Sequence, residues 1–405
     1  DFRSLPLEEP LQGHAVAHYR QHELRAEDTA RVTVRLADHT VMNGERERVL
    51  AALDIVDGLA PASEPRGALI RGAIINVGND WRARHPWLDA HQDHIGLGLF
   101  LLSIAGVIGD AALYANGMLP WWATVLLTAF WLSILHEIEH DLIHSMYYRN
   151  NAMIHNVMMF GVWFFRPSTM NPWIRRTLHL HHHEVSGTDS DLEERGITNG
   201  EGWGAHRLVS LLDSIVGIYT KPLRQKAIVT AYIEHEARSP EEARKLAAKT
   251  LSLYFPLGVV HYTLWHLFIG LHVYEFISGH TVSGSWVTAL NFIAVTLLAP
   301  NAVRTFCLHF VSSNMHYYGD VEAHNVLQQT QVWTAKWLKP FHALCFNFGE
   351  THAIHHFLVR DPFYLRELIK HDCQKVLRDN GVRFNDFGTF QRANRFSLTP
   401  AHVEP

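Results

Sequence analysis

Residues 95–115 read IGLGLFLLSIAGVIGDAALYA. After the turn NGMLP at 116–120, residues 121–135 read WWATVLLTAFWLSIL and run straight into HEIEHDLIH at 136–144. The first stretch has 21 residues and one charge, Asp110, and about 20 apolar residues cross a hydrocarbon core. A membrane hairpin is predicted whose second arm ends in a histidine cluster. The plan recurs downstream, where Leu251 to Ile277 is largely apolar, SGHTVSGS at 278–285 turns, and Trp286 to Phe310 is apolar again. The expected fold is an all-α integral membrane protein with about four transmembrane helices in two hairpins.

The segment between the hairpins, Ser145 to Thr250, holds 13 Lys and Arg, whereas the two tight turns hold none. Positive charge favours the cytoplasmic side, so this segment and both termini are expected there as a helical cap. Within it, Ala152 to Phe165 and Trp203 to Tyr219 are apolar but too short or interrupted to span, and read as interfacial helices. Glu234 to Thr250 reads as a solvated helix, with Glu241 four residues ahead of Lys245. Trp121, Trp122 and Trp286 flank the turns as interfacial anchors. Asp1 to about Arg84 is polar, with loop punctuation in PASEP at 61–65. No basic-then-apolar leader is read in the opening Asp1-Phe2-Arg3, and an aspartate in first place is the expected mark of trimming. The expected organisation is an N-terminal cytoplasmic region (1–90), a membrane domain (91–370) and a cytoplasmic tail (371–405).

Composition narrows the function. The 405 residues include 35 basic and 40 acidic side chains, a formal charge of −5, which argues against a basic nucleic-acid binder. With 47% hydrophobic and 19% charged residues, disorder is excluded as a class. Histidine is the anomaly at 30 residues, nearly as many as Lys and Arg together, and it points to metal chemistry. Cys307, Cys345 and Cys373 are widely spaced and contain no C-x-x-C pair, so neither a disulfide scaffold nor an iron–sulfur site is expected. A reducing compartment suits them.

The histidines fall into boxes. His136, His140 and His144 stand at i, i+4 and i+8, so adjacent members share a helical face. His179, His182 and His183 form H-x-x-H-H, and His352, His355 and His356 repeat it. In such a box the i, i+3 pair shares a face while the neighbour projects about 100° away, so one box can serve two metals. The predicted topology brings all three to one membrane side, with His316 just after the last span. Eight to ten imidazoles with few carboxylates suit a redox-active metal such as iron better than magnesium or calcium.

Three such boxes in this order, after paired hairpins, resemble the membrane fatty-acid desaturase and hydroxylase superfamily over roughly Ile95 to Leu368. The context His316-Tyr317-Tyr318-Gly319 is similar to the additional ligand motif of the related alkane hydroxylases. The resemblance implies two non-haem iron ions held by histidine and dioxygen as co-substrate. It also implies oxidation of an unactivated C–H bond in a fatty acyl or related lipid chain. Desaturation is the first expectation, with hydroxylation or oxidative decarboxylation as alternatives on the same scaffold. The implied metal set is His136, His140, His144, His179, His182, His183, His316, His352, His355 and His356. Both His136/His140 and His140/His144 satisfy the first box; the run SMYYRN at 145–150 is similar to the family's segment after its second box histidine and favours His140 and His144. Glu137, Asp141, Glu184, Asp189, Asp191 and Glu350 are read as acids able to orient imidazoles, and His309 as lining the site or capping its span. Electrons are expected from a separate ferredoxin, rubredoxin or other reductase, since the chain has neither a fused haem motif nor G-x-G-x-x-G.

Other readings stand beside these. His136-Glu137-Ile138-Glu139-His140 is literally H-E-x-x-H, the signature of a membrane zinc metalloprotease with Glu137 as general base. A metal transporter or store is a third class. His14, His18 and His22 also recur at i, i+4, i+8, and are read as surface residues. His261, His266 and His272, costly in hydrocarbon, are expected to face the bundle interior and to pair with Glu275 or Asp110.

Overall fold

The computed structural model describes residues 64–398, so the N-terminal histidine triplet and most of the polar N-terminal region lie outside the described residues. The chain divides into two compact units, residues 1–73 and 74–405. Among the described residues the architecture is helical, with two isolated β-bridges, His316 to Thr330 and Val332 to Phe384.

After α1 (Glu64–Arg84), three helices are long and apolar enough to cross a membrane: α2 (Gln92–Ala115), α3 (Trp121–Ile143) and α10 (Ser285–Met315). The first two form the expected hairpin. Gly117, with φ +69°, supplies the left-handed turn residue that ends α2, and Gly106 lets the ring of Trp131 lie directly on the α2 backbone. Trp121 and Trp122 are exposed at the turn and Trp286 at the start of α10, as interfacial anchors require. Every residue of α3 from Leu132 to Ile143 is buried, so its last three turns are enclosed on all sides. Such a helix has no solvated face on which to place charges, and each polar group there needs a protein partner.

The expected third span forms α9 (Leu257–Ser278), 22 residues long, but its histidines and Glu275 keep it outside the set that apolarity selects. His272 pairs with Glu275 at 2.8 Å, and Asp110 accepts from Thr128 at 3.3 Å. Helix α10 opens as α-helix, passes through one π turn at Ala294–Leu298 and resumes with Pro300 in its first turn. It packs along α3.

Between α3 and α9 lie α4 (Ala152–Phe164), α5 (Pro172–Val185), the single turn α6 (Leu192–Arg195), α7 (Asp213–Glu236) and α8 (Pro240–Leu251). Asn151 caps α4 and Asn171 caps α5, each accepting a backbone N–H, and Pro172 occupies the first turn of α5, where no donor is lost. Met153, Val157, Phe160 and Phe164 make an exposed apolar stripe along α4, the pattern of an interfacial helix. Glu241 and Lys245 pair at 2.8 Å on α8, whose residues are all at least partly exposed. Helices α11 (Phe348–Phe357) and α12 (Phe363–Asp379) close the unit and pack on each other. All three cysteines are buried and free.

Candidate metal centre

Four segments bring the boxes together. The last turns of α3 carry His136 and His140, and His144 is its C-terminal cap residue. Helix α5 carries His179, His182 and His183, and α11 carries His352, His355 and His356. His316 ends α10, where the backbone turns extended at ψ 136°.

Ring nitrogens from these segments converge in two groups, each within 4.8 Å: His140, His144, His179, His183 and His355; and His182, His316, His352 and His356. In the first, His355 Nε2 lies 3.1 Å from His144 Nε2 and 3.0 Å from His183 Nε2. In the second, His352 Nε2 lies 3.2 Å from His316 Nε2 and 3.0 Å from His356 Nε2. Two nitrogens about 2.1 Å from one ion, at roughly a right angle, are about 3 Å apart. Each box serves both groups, but by a different pairing from the one expected: the i, i+4 histidines stay together, His179 with His183 and His352 with His356, while the i+3 residues, His182 and His355, go to the other group, because four residues bring a helix closer to a whole number of turns than three do.

The opposite ring nitrogens decide the tautomers. His179 Nδ1 donates to Glu193 at 2.7 Å, His182 Nδ1 to Asp191 at 2.9 Å and His356 Nδ1 to Gln329 Oε1 at 2.8 Å. His316 Nδ1 donates to the Ser312 carbonyl at 2.8 Å, with Glu194 at 3.3 Å. A proton fixed on Nδ1 leaves the Nε2 lone pair for the cluster. Burial, reinforced by neighbouring imidazoles, holds His183, His352, His355 and His356 well below the usual histidine range. Neutral imidazole is the form that ligates. Burial also lowers His182, but the charge and hydrogen bond of Asp191 outweigh it, with Glu193 and Glu194 adding, and push it up to about 9. His140 is buried with neither ring nitrogen hydrogen-bonded. A buried polar ring with no protein partner, facing four others, is the arrangement a metal ion would satisfy. The donor set therefore fits two ions of a metal that favours imidazole.

A family profile for fatty acid desaturases matches residues 116–388. The chain belongs to the fatty acid desaturase family. Membership makes it an oxidoreductase acting on a lipid or acyl substrate, and the apolar helices fit an integral membrane protein. No curated protein matches the chain.

His136 stands outside both groups, and Arg166 donates to its Nδ1 at 3.1 Å. Of the acids singled out in the sequence, Asp191 reaches a box histidine. Glu137 and Asp141 face Arg366 at 3.4 and 3.1 Å, and Asp141 also accepts from Tyr147 at 2.7 Å. Glu350 pairs with Lys370 at 2.7 Å, and Asp189 accepts from Tyr318 at 2.6 Å. Glu184 takes part through its carbonyl, which accepts from the His324 N–H at 3.1 Å. His309 lines the cavity beside the cluster.

Glu193, Glu194 and Gln329 orient imidazoles without having been singled out. The first two had a signal: the acidic string Asp191-Leu192-Glu193-Glu194 follows the second box, and Asp191 caps the turn α6 that holds both glutamates. Gln329 had none.

Proposed function

We propose that the protein is an oxygen-dependent di-iron desaturase of a fatty acyl or related lipid chain. The two interleaved groups, five and four imidazoles within 4.8 Å of one another, carry this reading. His140, His144, His179, His183 and His355 would hold one iron, and His182, His316, His352 and His356 the other. When bound, the irons supply the reduction of dioxygen to two waters, with two electrons drawn from the substrate's C–H bonds and two from an external donor.

The chain's own residues prepare that site. Asp191, Glu193 and Gln329 each hold a ring by its Nδ1–H, and Asp191 also accepts from the Gly187 and Glu194 N–H groups. A ligand thus inherits the rigidity of the α5–α6 turn. Burial excludes bulk water from the cluster, protecting a strong oxidant from side reactions. Helix α9, as the fourth span, would complete two hairpins and put the histidines at the cytoplasmic face, where a ferredoxin, rubredoxin or other reductase could dock. Hydroxylation or oxidative decarboxylation would differ in the fate of the carbon radical, not in the ligand set.

The zinc-protease reading needs His136 and His140 on one ion with Glu137 free as base. His136 lies outside both groups, and Glu137 faces Arg366. The test is turnover by iron-loaded protein in lipid nanodiscs with a reduced ferredoxin system and acyl substrates. Oxygen-dependent loss of two hydrogens from the chain is expected. Peptide hydrolysis that requires zinc and not oxygen would overturn the proposal.

A further inference from the structure

A small cavity of about 80 Å³ lies against the cluster and touches both groups, with His140 and His179 of one and His182 and His352 of the other in its wall. Its wall also holds three arginines, Arg166, Arg175 and Arg304. Two are neutralised: Arg166 and Arg175 share Glu139, and Arg175 also reaches Glu193 at 2.8 Å. Arg304 is not. It is 1% exposed, its Nη2 donates to Thr305 at 2.8 Å, and its Nε and Nη1 have no hydrogen-bond partner. A guanidinium keeps its charge in a protein, and a buried cation without a counter-charge is strongly unfavourable unless something anionic meets it.

His136 adds a second donor to the same wall. Because a guanidinium cannot accept, the contact from Arg166 makes His136 Nδ1 the acceptor and leaves the ring proton on Nε2. That Nε2 is buried and has no hydrogen-bond partner, and His136 lines the cavity with Arg304. The wall's own carboxylates are already engaged. Glu193 is held by Arg175 and His179, Glu194 by Ser312 at 3.0 Å through one oxygen while its other, without a hydrogen-bond partner, faces His316 at 3.3 Å, and Asp213 has a partner of its own. A planar anion with two acceptor oxygens is what the remaining donors fit.

An apolar groove lies on the other side of Tyr254. That residue lines the cavity and also lines a groove of about 890 Å³ between α7 and α9, walled by Ile218, Val229, Leu251 and Val259. The inner cavity is charged and the outer groove apolar, which orients an amphiphile head inward.

We infer that the substrate is a free fatty acid whose carboxylate binds Arg304 and the Nε2–H of His136, its chain leaving past Tyr254 into the α7–α9 groove. The carbons presented to the histidines are then those next to the carboxyl carbon. This rests on the reading of the cluster as an oxidising centre for acyl chains. For a C2–C3 double bond, two C–H bonds break and dioxygen takes two electrons from them and two from the external reductant, giving two waters. Loss of carbon dioxide breaks the C1–C2 bond in place of the C2–H bond with the same electron count.

The test measures binding of radiolabelled dodecanoate, methyl dodecanoate and dodecanol to the iron-loaded full chain in nanodiscs, corrected against empty nanodiscs, and then the position of oxidation. The wild-type protein should prefer dodecanoate to its methyl ester by about ten- to a hundredfold, as a charge-assisted contact gives. Arg304→Gln should erase the preference and Arg304→Lys keep part of it. Products should be oxidised at C2 or C3, or be the alkene left by loss of C1. Equal binding of acid and ester by the wild-type protein would overturn the inference without recourse to any variant. Mid-chain oxidation would overturn it while leaving the desaturase reading intact. A carboxylate preference without oxidation of any chain would support the carboxylate site and remove the oxidase reading instead.

Discussion

Helices α9 and α11 each carry three histidines, at i, i+5 and i+11 on the first and at i, i+3 and i+4 on the second, and they use them differently. On α9, His261 meets the Ser214 carbonyl at 2.8 Å, His266 the Tyr262 carbonyl at 2.7 Å, and His272 both Glu275 and Asn291 at 2.8 and 2.9 Å. On α11, the Nε2 atoms of His352, His355 and His356 face other histidines at 3.0 to 3.4 Å. A histidine on a helix is not by itself a ligand. What the α11 histidines share is a ring nitrogen turned toward other imidazoles; the opposite nitrogen of His356 is held by Gln329, while that of His355 has no hydrogen-bond partner.

The sharpest way to break this contrast is substitution on α11. His355→Ala should abolish turnover and remove about one iron per chain, and His352→Ala should do the same through the other ion. If either variant keeps full iron and activity, the two-group division fails. The next largest effect belongs to Arg366, whose charge offsets Glu137 and Asp141 in the enclosed end of α3. Arg366→Leu leaves two buried acids uncompensated and should cost about 3–5 kcal/mol of stability, read as a lower thermal midpoint in detergent. A midpoint equal to wild type would mean that these acids are not ionised against it.

Smaller effects sharpen the role of the outer partners. Asp191→Asn keeps the shape but weakens the acceptor for His182 and should lower metal affinity about 10- to 100-fold, measured by chelator competition. An unchanged affinity would reduce Asp191 to a helix cap. The smallest effect is expected on α9: His272→Gln should leave metal content unchanged and shift stability by about 1 kcal/mol. Loss of metal there would erase the difference between the two helices.

The helical class, the α2–α3 pair and the nine histidines that converge were legible because they rest on local signals: apolar length, a turn, and spacing along one helix. The helix hosting the expected third span formed, but its histidines and Glu275 lower the apolarity that such a reading depends on. The partners of Glu137 and Asp141 were not legible, since Arg366 lies more than 200 positions away and nothing in its neighbourhood marks it. The same holds for Gln329, which reaches His356 from an irregular segment. His136 is the instructive case. Its box spacing is as good as that of His144; the run at 145–150 favours His144, and the structure separates the two by setting His144 against His355 and His136 against Arg166, which follows α4.

Metal content per chain, measured on detergent-purified protein expressed with iron and zinc both available, tests the central claim most directly. The account predicts about two irons in the wild-type protein and about one in His352→Ala. A single zinc, lost in His136→Ala but retained in His352→Ala, would contradict it.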